Sequence, residues 1–187
     1  LDELKIKFHS LEIVHHDALL IDYDKFISNN SIIVGNLPFN ISTELLLKWI
    51  FLRQWPPNYQ KMYLMFQKEV AERIVAEHGT KKYGRLSVIT QARCNVKKIL
   101  IAKSNIFNPV PKVDGMIIEF IPHNRLMNNK IKNLEKIVKL AFGQRRKKIK
   151  TTLSEYKLEL NKLKINENLR AENISVSQYC RLAETMK

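Results

Sequence analysis

An amide and an aromatic ring follow the first strongly strand-forming segment of this chain. The β-branched run at residues 31–34 predicts a short buried strand that stops at Gly35. Pro38 favours a turn just beyond it, which displays Asn36 and Phe39 at the carboxyl end of the strand. An amide can hold, and an aromatic ring can stack on, a planar ring such as a nucleobase. The pair carries no charge and is poorly equipped for hydrolysis.

We expect a helix to follow this turn directly. Residues 43–53 carry apolar side chains at helical spacing, and Ser42 or Thr43 can cap them. In a plainer interpretation the turn is ordinary packing, in which the Asn36 amide satisfies backbone groups and Phe39 points inward. The turn taken alone leaves both interpretations open.

The segments before Pro122 predict an α/β fold. Strands that alternate with helices indicate a mainly parallel sheet, with an antiparallel hairpin at its end. After about residue 125 only helical periodicity is present, so we expect an α/β domain at 1–122 and a small all-α domain at 123–187. The expected strands are 12–15, 31–35, 62–66, 96–102 and 116–121, and the expected helices are 43–53, 67–76 and part of 85–94.

The composition limits the class of protein. Apolar residues make up 45% of the chain and charged residues 27%, which is typical of globular proteins, and no apolar run is long enough to span a membrane. Cys94 and Cys180 lack metal-ligand spacing, so we expect no metal site and a cytoplasmic location. The net charge of +14 favours a polyanionic partner, nucleic acid first, although a bias towards Lys, Asn and Ile also raises it.

Positive charge is concentrated at residues 142–150, where five of nine residues are basic and none is acidic. Helical spacing predicts a buried apolar stripe that leaves Lys147, Lys148 and Lys150 largely outside. The stripe residues are Leu134, Val138, Ala141, Phe142, Ile149 and Leu153. Arginine can grip phosphate oxygens bidentately, while lysine acts as a point charge. A solvated helix face is the alternative. The predicted RNA-binding residues are Arg145, Arg146, Lys147, Lys148 and Lys150.

The segment Asn36-Leu37-Pro38-Phe39 resembles the Asn/Asp-Pro-Pro-aromatic signature of methyltransferases that act on amino groups of adenine or cytosine. Its form is similar to that of KsgA-type small-subunit ribosomal RNA adenine dimethyltransferases. The resemblance implies a Rossmann-like class I methyltransferase sheet, incomplete at its N-terminus, followed by a small all-α domain. Further matching segments follow in the same order, at 16–18, 67–73, 83–88, 107–114, 142–153 and 170–175.

The resemblance implies that the target base is held by the four residues Asn36-Leu37-Pro38-Phe39, the motif turn, and by one later residue. The Asn36 side-chain oxygen and the Leu37 carbonyl would accept the two hydrogens of the adenine amine. Pro38 completes the turn. Phe39 would stack on the extruded base, and Phe107 would help to hold it.

The resemblance also implies S-adenosylmethionine as the methyl donor. The Asp17 carboxylate would contact the adenine amino group of this cofactor, next to Ala18 and Asn36. A simple turn residue is the alternative for Asp17. Lys112 either neutralises substrate phosphate or remains solvated, and the sequence does not decide between the two.

The chain departs from the family pattern in two places. Phe39 stands where KsgA-type enzymes usually have Tyr, which preserves stacking and loses a hydroxyl. None of the five glycines forms a Gly-x-Gly, and the acid that grips the cofactor ribose is absent, with Leu1 placed just after it. We therefore expect the first two strands of the sheet to lie upstream of Leu1.

The function implied by the resemblance is N6,N6-dimethylation of two adjacent adenines near the 3′ end of small-subunit (16S) ribosomal RNA, in the immature 30S subunit and by a monomer. A noncatalytic RNA-binding or ribosome-assembly factor with the same fold is one alternative. Another is a methyltransferase of the antibiotic-resistance type that modifies large-subunit RNA. Residues 109–113 and 170–175 favour the small-subunit assignment, and a DNA methyltransferase ranks lower.

Overall fold

The computed structural model describes residues 6–8 and 10–186, which contain one four-stranded sheet followed by a helical region. The sheet region consists of α1 Tyr23–Phe26, β1 Ser31–Asn36, α2 Ser42–Ile50, β2 Tyr59–Gln67, α3 Lys68–Ile74, α4 Arg85–Gln91, β3 Cys94–Ala102 and β4 Gly115–Pro122. The helical region consists of α5 Ile131–Gly143, α6 Ile149–Thr152, α7 Lys157–Lys162 and α8 Val176–Thr185. Four 3-10 turns, at Ser104–Ile106, Asn128–Lys130, Ser154–Tyr156 and Ala171–Asn173, join these elements.

The strand order is β1-β2-β4-β3. β1 pairs in parallel with β2, whereas β4 is antiparallel to both β2 and β3. The expected antiparallel hairpin is therefore confirmed, but the expectation of a mainly parallel sheet is wrong for the described strands. The reason is that β4 inserts between β2 and β3, so that the hairpin supplies two of the three strand pairings.

Two expectations at the start of the sheet are also corrected. Residues 12–15 form no strand, and the neighbouring side chains of Leu11 and Val14 are exposed, because this segment has no described strand beside it to complete its hydrogen bonds. β1 is not buried on both faces: Ile32 is 51% and Val34 77% exposed, since β1 is an edge of the described sheet. Leu1 and the strands expected upstream of it lie outside the described residues.

Helix α2 begins and ends differently from its prediction. Ile41, not Ser42 or Thr43, occupies the cap position, and Ser42 is the first helical residue. The Ser42 hydroxyl instead donates a hydrogen bond back to the Phe39 carbonyl at 3.1 Å. The helix ends at Ile50, before the predicted end, and buries Leu46 and Ile50 against the sheet region.

The helical region continues the core of the sheet region. Leu126 and Ile131 belong to the same cluster of buried apolar residues as the strands, and α5 packs against α4 and α8. Apart from one isolated β-bridge between Lys148 and Arg170, the described residues after Pro122 form helices and turns, as expected. The division into domains at 122/123 stays a prediction.

Candidate functional site

The motif turn is held at both of its ends. Asn36, the last residue of β1, pairs with Met65 of β2, which fixes where the turn begins. Within the turn the Ile41 N–H donates to the Pro38 carbonyl at 3.1 Å, and the Ser42 hydroxyl donates to the Phe39 carbonyl at 3.1 Å. These bonds tie the turn to the first residues of α2, so the motif is set by the strand before it and the helix after it.

Leucine side chains lie close to Gly35, where β1 meets the turn. A Cβ atom at Gly35 would lie 2.7 Å from Leu37 Cδ2 and 3.1 Å from Leu64 Cδ2. Real Cβ atoms do not approach carbon so closely, so the missing side chain lets Leu37 fold back against β1 and β2. A side chain at this position would therefore displace Leu37, a residue of the motif.

The residues predicted to hold the target base lie together. One cavity of about 250 Å³ is lined by Asn36, Leu37, Pro38 and Phe39 and also by Phe107. Both aromatic rings are half-buried. The remaining lining residues are Met65, Asn108, Pro109 and Pro111.

The Asn36 amide is available to a ligand. Its side chain is exposed, and within the described part of the chain it has no hydrogen-bond partner. The plainer interpretation, in which this amide satisfies backbone groups of the turn, is therefore not what the structure shows. An open amide beside two rings can accept hydrogen bonds from a planar ligand and stack on its faces.

An ionic anchor that the sequence analysis missed fixes the loop that carries Phe107. The Asp114 carboxylate accepts a hydrogen bond from the Ser104 N–H at 3.0 Å and one from Lys103 Nζ at 3.2 Å. The Asp114 carbonyl accepts from the Lys68 N–H at 2.9 Å. The bond from Ser104, and then the one from Lys103, lowers the pKa of the Asp114 carboxyl below its ordinary value.

The residues predicted to contact the cofactor lie in an exposed turn before α1. Asp17 Oδ1 accepts a hydrogen bond from the Leu19 N–H at 2.8 Å, and the Ala18 carbonyl accepts from the Tyr23 hydroxyl at 3.0 Å. Burial, and then the negative charge of Asp17, raises the pKa of Tyr23. Asp17, Ala18 and the exposed Lys112 do not line the cavity beside the motif, so their roles stay predictions.

A basic cleft opens beside the motif turn, and the sequence analysis missed it. It has a volume of about 620 Å³ and begins at Thr43, directly after the serine that holds the turn. Its basic residues come from segments that are far apart in sequence, so no local run of charge indicated it. They are Arg73, Lys81, Lys82, Arg85 and Arg145, with Glu69 as the one acid and Thr43, Val70, Tyr83, Gly84, Leu86, Ser87 and Phe142 as the rest of the lining.

The basic segment at 142–150 is not one continuous helix. α5 ends at Gly143 and residues 144–147 form a turn, because Gln144 leaves the helical conformation with φ −128° and ψ 75°. The predicted stripe is nevertheless confirmed, since Leu134, Val138, Ala141, Ile149 and Leu153 are buried and Phe142 is half-buried. The basic side chains are exposed, as expected.

These basic residues are not equivalent. Arg145 Nε donates to Glu172 Oε2 at 3.1 Å, and its guanidinium also donates to the Lys81 carbonyl. Arg146, Lys147 and Lys148 are exposed and have no acidic partner among residues 10–186. Arg145 therefore positions the turn, while Arg146, Lys147, Lys148 and the likewise exposed Lys150 are open to solvent.

Other kinds of site were also sought in the described residues. Residues 6–8 and 10–186 contain no group of three or more His, Cys, Asp or Glu side chains that could hold a metal ion. None of the helices in this part of the chain is long and apolar enough to cross a membrane.

The fold resembles that of a solved methyltransferase. A dimethyladenosine transferase from Plasmodium falciparum superposes with a TM-score of 0.77 at 22% identity, covering 97% of this chain and 74% of that one. The likeness shows that the described strands and helices have the Rossmann-like fold of that transferase. Residues 2–187 match the family model for ribosomal RNA adenine dimethylase. The chain belongs to that family.

Curated relatives agree with this assignment. A protein named ribosomal RNA small subunit methyltransferase A from Allorhizobium ampelinum is 38% identical over 179 residues, which cover 94% of this chain. The protein of the same name from Buchnera aphidicola subsp. Schizaphis graminum is 42% identical over 187 residues, covering 96% of this chain and 67% of the relative. The chain spans 65% of the length of the Allorhizobium relative.

Proposed function

We propose that this protein transfers methyl groups from S-adenosylmethionine to the N6 atoms of two adjacent adenines near the 3′ end of small-subunit (16S) ribosomal RNA. One observation carries the proposal: the exposed Asn36 amide lines the same cavity as the half-buried rings of Phe39 and Phe107. The relatives named as small-subunit methyltransferases favour this substrate over large-subunit RNA.

The motif suits the chemistry of an adenine amine. The lone pair of this nitrogen is delocalised into the ring, which makes it a weak nucleophile. The Asn36 side-chain oxygen and the Leu37 carbonyl would accept its two hydrogens, which favours a pyramidal nitrogen with an available lone pair. Phe39 would stack on the base and stabilise the positive charge that develops there. The proton that the amine loses leaves to water at the exposed mouth of the cavity.

The residues present fit the adenosine end of the cofactor. Asp17 uses Oδ1 for the Leu19 N–H, while Oδ2 has no partner in the described part of the chain and can accept from an adenine amino group. The Asn36 amide is the other open polar group. S-adenosylmethionine supplies an electrophilic methyl group on a sulfonium, so the work left to the protein is alignment and electrostatics.

Two basic surfaces would hold the RNA, which we place in the immature 30S subunit. The basic cleft begins at Thr43, beside the motif turn, and would hold the phosphates nearest the target base. Arg146, Lys147 and Lys148 extend the positive charge from Arg145, which also lines the cleft. Both surfaces act through phosphate, so they position the RNA and do not select its sequence. We further propose that the protein acts as a cytoplasmic monomer.

Methyl transfer by an Asn36→Ala variant tests the proposal. The full-length protein would be incubated with small and large ribosomal subunits that both lack the modification, and both ribosomal RNAs would be analysed by mass spectrometry. We expect wild type to give dimethyladenine only in the small-subunit RNA and Asn36→Ala to lose at least 100-fold in rate, on the order of one missing transition-state contact.

Phe39→Tyr is the matched control, because it preserves the stacking ring. It should retain activity, whereas Phe39→Ala should not. Near wild-type turnover by Asn36→Ala would contradict the assigned role of the motif. Binding of subunits without any methylation by wild type would favour the noncatalytic alternative.

A further inference from the structure

An apolar groove lies between three helices next to the basic cleft. It has a volume of about 230 Å³. We propose that this groove binds a second nucleobase, that of a nucleotide flanking the target adenine. The inference rests on the proposed function, because it assumes an RNA substrate whose target base enters the motif cavity. The lining residues are Thr43, Leu47 and Phe51 on the side of α2, Arg85, Leu86 and Ile89 of α4, and Glu135 of α5.

The chemistry of the groove matches the faces and the edge of a base. Leu47, Leu86 and the Phe51 ring are half-buried, so they offer an apolar floor that is still accessible. Stacking on an aromatic or apolar surface is how proteins hold unpaired bases in single-stranded RNA. Arg85 and Glu135 are exposed and stand at the rim. A guanidinium stacks on a base or donates to it, and a carboxylate accepts from an amino group.

Both charged groups at the rim are free to meet a ligand. In the part of the chain that the structure describes, neither Arg85 nor Glu135 has an ion-pair partner. A carboxylate that only accepts hydrogen bonds would prefer adenine, cytosine or guanine, each of which carries an amino group, and would disfavour uracil.

The charge next to the groove identifies the occupant as part of a polyanion. Thr43, Arg85 and Leu86 line both the groove and the basic cleft, so the two are continuous. Arg73, Lys82 and Arg145 of the cleft are paired with acids, whereas Lys81 and Arg85 have no acidic partner in the described part of the chain. These two free cations favour a chain that carries anionic groups in the cleft, and the groove beside them favours a flat, largely apolar group. RNA meets both requirements, with its phosphate in the cleft and its base in the groove. An apolar peptide meets only the second.

Helix α2 connects the groove to the motif turn. The Ser42 hydroxyl holds the Phe39 carbonyl, and Thr43, Leu47 and Phe51 follow at intervals of four residues, on one face of α2. A helix rises about 1.5 Å per residue, so Phe51 lies about 12 Å along the axis from Thr43. One helix therefore sets the distance between the target base and the flanking base.

Abasic substitution in the RNA tests the proposal directly. Full-length protein would be titrated, by fluorescence anisotropy, into fragments from the 3′ end of the small-subunit RNA that each lack one base near the two adjacent adenines. At one position outside the target we expect loss of the base to weaken binding to wild type about fivefold or more. The same loss should have little effect on Leu47→Ser or Phe51→Ala, because their groove no longer holds the base.

Further variants keep the test independent of folding. Glu135→Gln changes an exposed side chain and should reduce the preference for amino-bearing bases over uracil at that position. Leu158→Ala removes an exposed apolar side chain of α7, 71% accessible, and should behave as wild type. If no position outside the target shows a loss that depends on Leu47 or Phe51, and Glu135→Gln leaves base preference unchanged, the groove holds no base.

The result separates this inference from the proposed function. Removal of the target adenine base should weaken binding to wild type but not to Phe39→Ala in the same titration, because that variant no longer stacks on the base. If the effect of base removal on binding depends on Leu47 and Phe51 but wild type transfers no methyl group, the proposed enzymatic activity is refuted and the base-binding groove is supported. If wild type transfers methyl groups but the effect of base removal does not depend on Leu47 or Phe51, only the proposal that the groove binds a base is refuted.

Discussion

Asp114 and Ser104 close the loop that carries Phe107 to the motif cavity. The Asp114 carboxylate accepts the Ser104 N–H at 3.0 Å, and Lys103 Nζ lies 3.2 Å from the same carboxylate. The loop therefore begins and ends at one ionic contact at the foot of the β3–β4 hairpin. Because the Asp114 carbonyl also accepts the Lys68 N–H, the anchor is joined to the start of α3. The Asp114 carboxylate, which does not line the cavity, therefore helps to fix the position of the Phe107 ring.

Asp114→Ala should reduce activity more than stability. The substitution removes both hydrogen bonds that close the loop, so the Phe107 ring is no longer held in the motif cavity. We expect methyl transfer to fall on the order of tenfold, since small misplacements of positioning groups are costly. Asp114→Asn, which can still accept from Ser104, should lose less. Equal rates for wild type and Asp114→Ala, measured at saturating RNA, would show that the loop needs no anchor.

The loop anchor should persist in mild acid. Its hydrogen bonds lower the pKa of the folded Asp114 below the ordinary 3.8, so their stabilisation is fully present above that value and disappears as pH falls through the lowered pKa. The Ser104 amide resonance, followed by NMR on acidification, should therefore shift with a midpoint below pH 3.8. Asp114→Asn should abolish the transition. A midpoint above 3.8 would contradict the assignment.

Gly35→Ala should damage the motif without touching its four residues. The added methyl would lie 2.7 Å from Leu37 Cδ2, so the Leu37 side chain must move and strain the turn that holds Asn36. We expect a loss of about 1–3 kcal/mol in stability from overpacking, and a clear fall in kcat. Gly143→Ala is the control, because nothing lies within 4 Å of its missing Cβ. The idea fails if both variants keep wild-type kcat.

The site shows which features local sequence can predict. The turn from Gly35 to Phe39 was predictable because strand, proline and helix lie within a few residues of one another. The basic cleft was not, since Arg73, Arg85 and Arg145 meet only after α3, α4 and α5 have packed. The α/β class and the hairpin were predictable, but the mainly parallel pairing was wrong for the same reason: strand character is local, whereas the insertion of β4 between β2 and β3 depends on long-range packing.

The exposed basic turn should contribute to the salt dependence of RNA binding. Each phosphate neutralised adds about −0.7 to −0.9 to the slope of log affinity against log salt. Replacing Arg146, Lys147 and Lys148 together by Gln should therefore make the slope shallower by about 2. A matched triple variant at exposed lysines elsewhere, Lys132, Lys157 and Lys162, should change it less. Identical slopes for the two triple variants would mean that the turn does not face the RNA.

Arg93 joins the end of α2 to the start of the helical region. Its side chain is fully buried and Nη1 donates to the Ile50 carbonyl at 2.8 Å, while Nη2 donates to Asn128 Oδ1 at 2.7 Å. The guanidinium also lies 4.4 Å from the centre of the Trp55 ring. Burial lowers the pKa of Arg93 to about 10, so the group stays charged at neutral pH. No acid pairs with it among the described residues, and backbone carbonyls serve in place of one.

Arg93→Met should therefore destabilise the fold through the carbonyls it leaves behind. Met fills much of the volume but donates nothing, so the Ile50 and Asn128 carbonyls lose a charged donor inside the protein. We expect about 2–4 kcal/mol of lost unfolding free energy, from unsatisfied buried groups at roughly 1–3 kcal/mol each. Arg93→Met, Asn128→Ala and the variant with both changes form a double-mutant cycle, measured by denaturant titration. The losses of unfolding free energy in the two single variants should not add in the double variant, because both single changes remove the same hydrogen bond. Additive losses, or a Met variant as stable as wild type, would show that the contact is incidental to the junction.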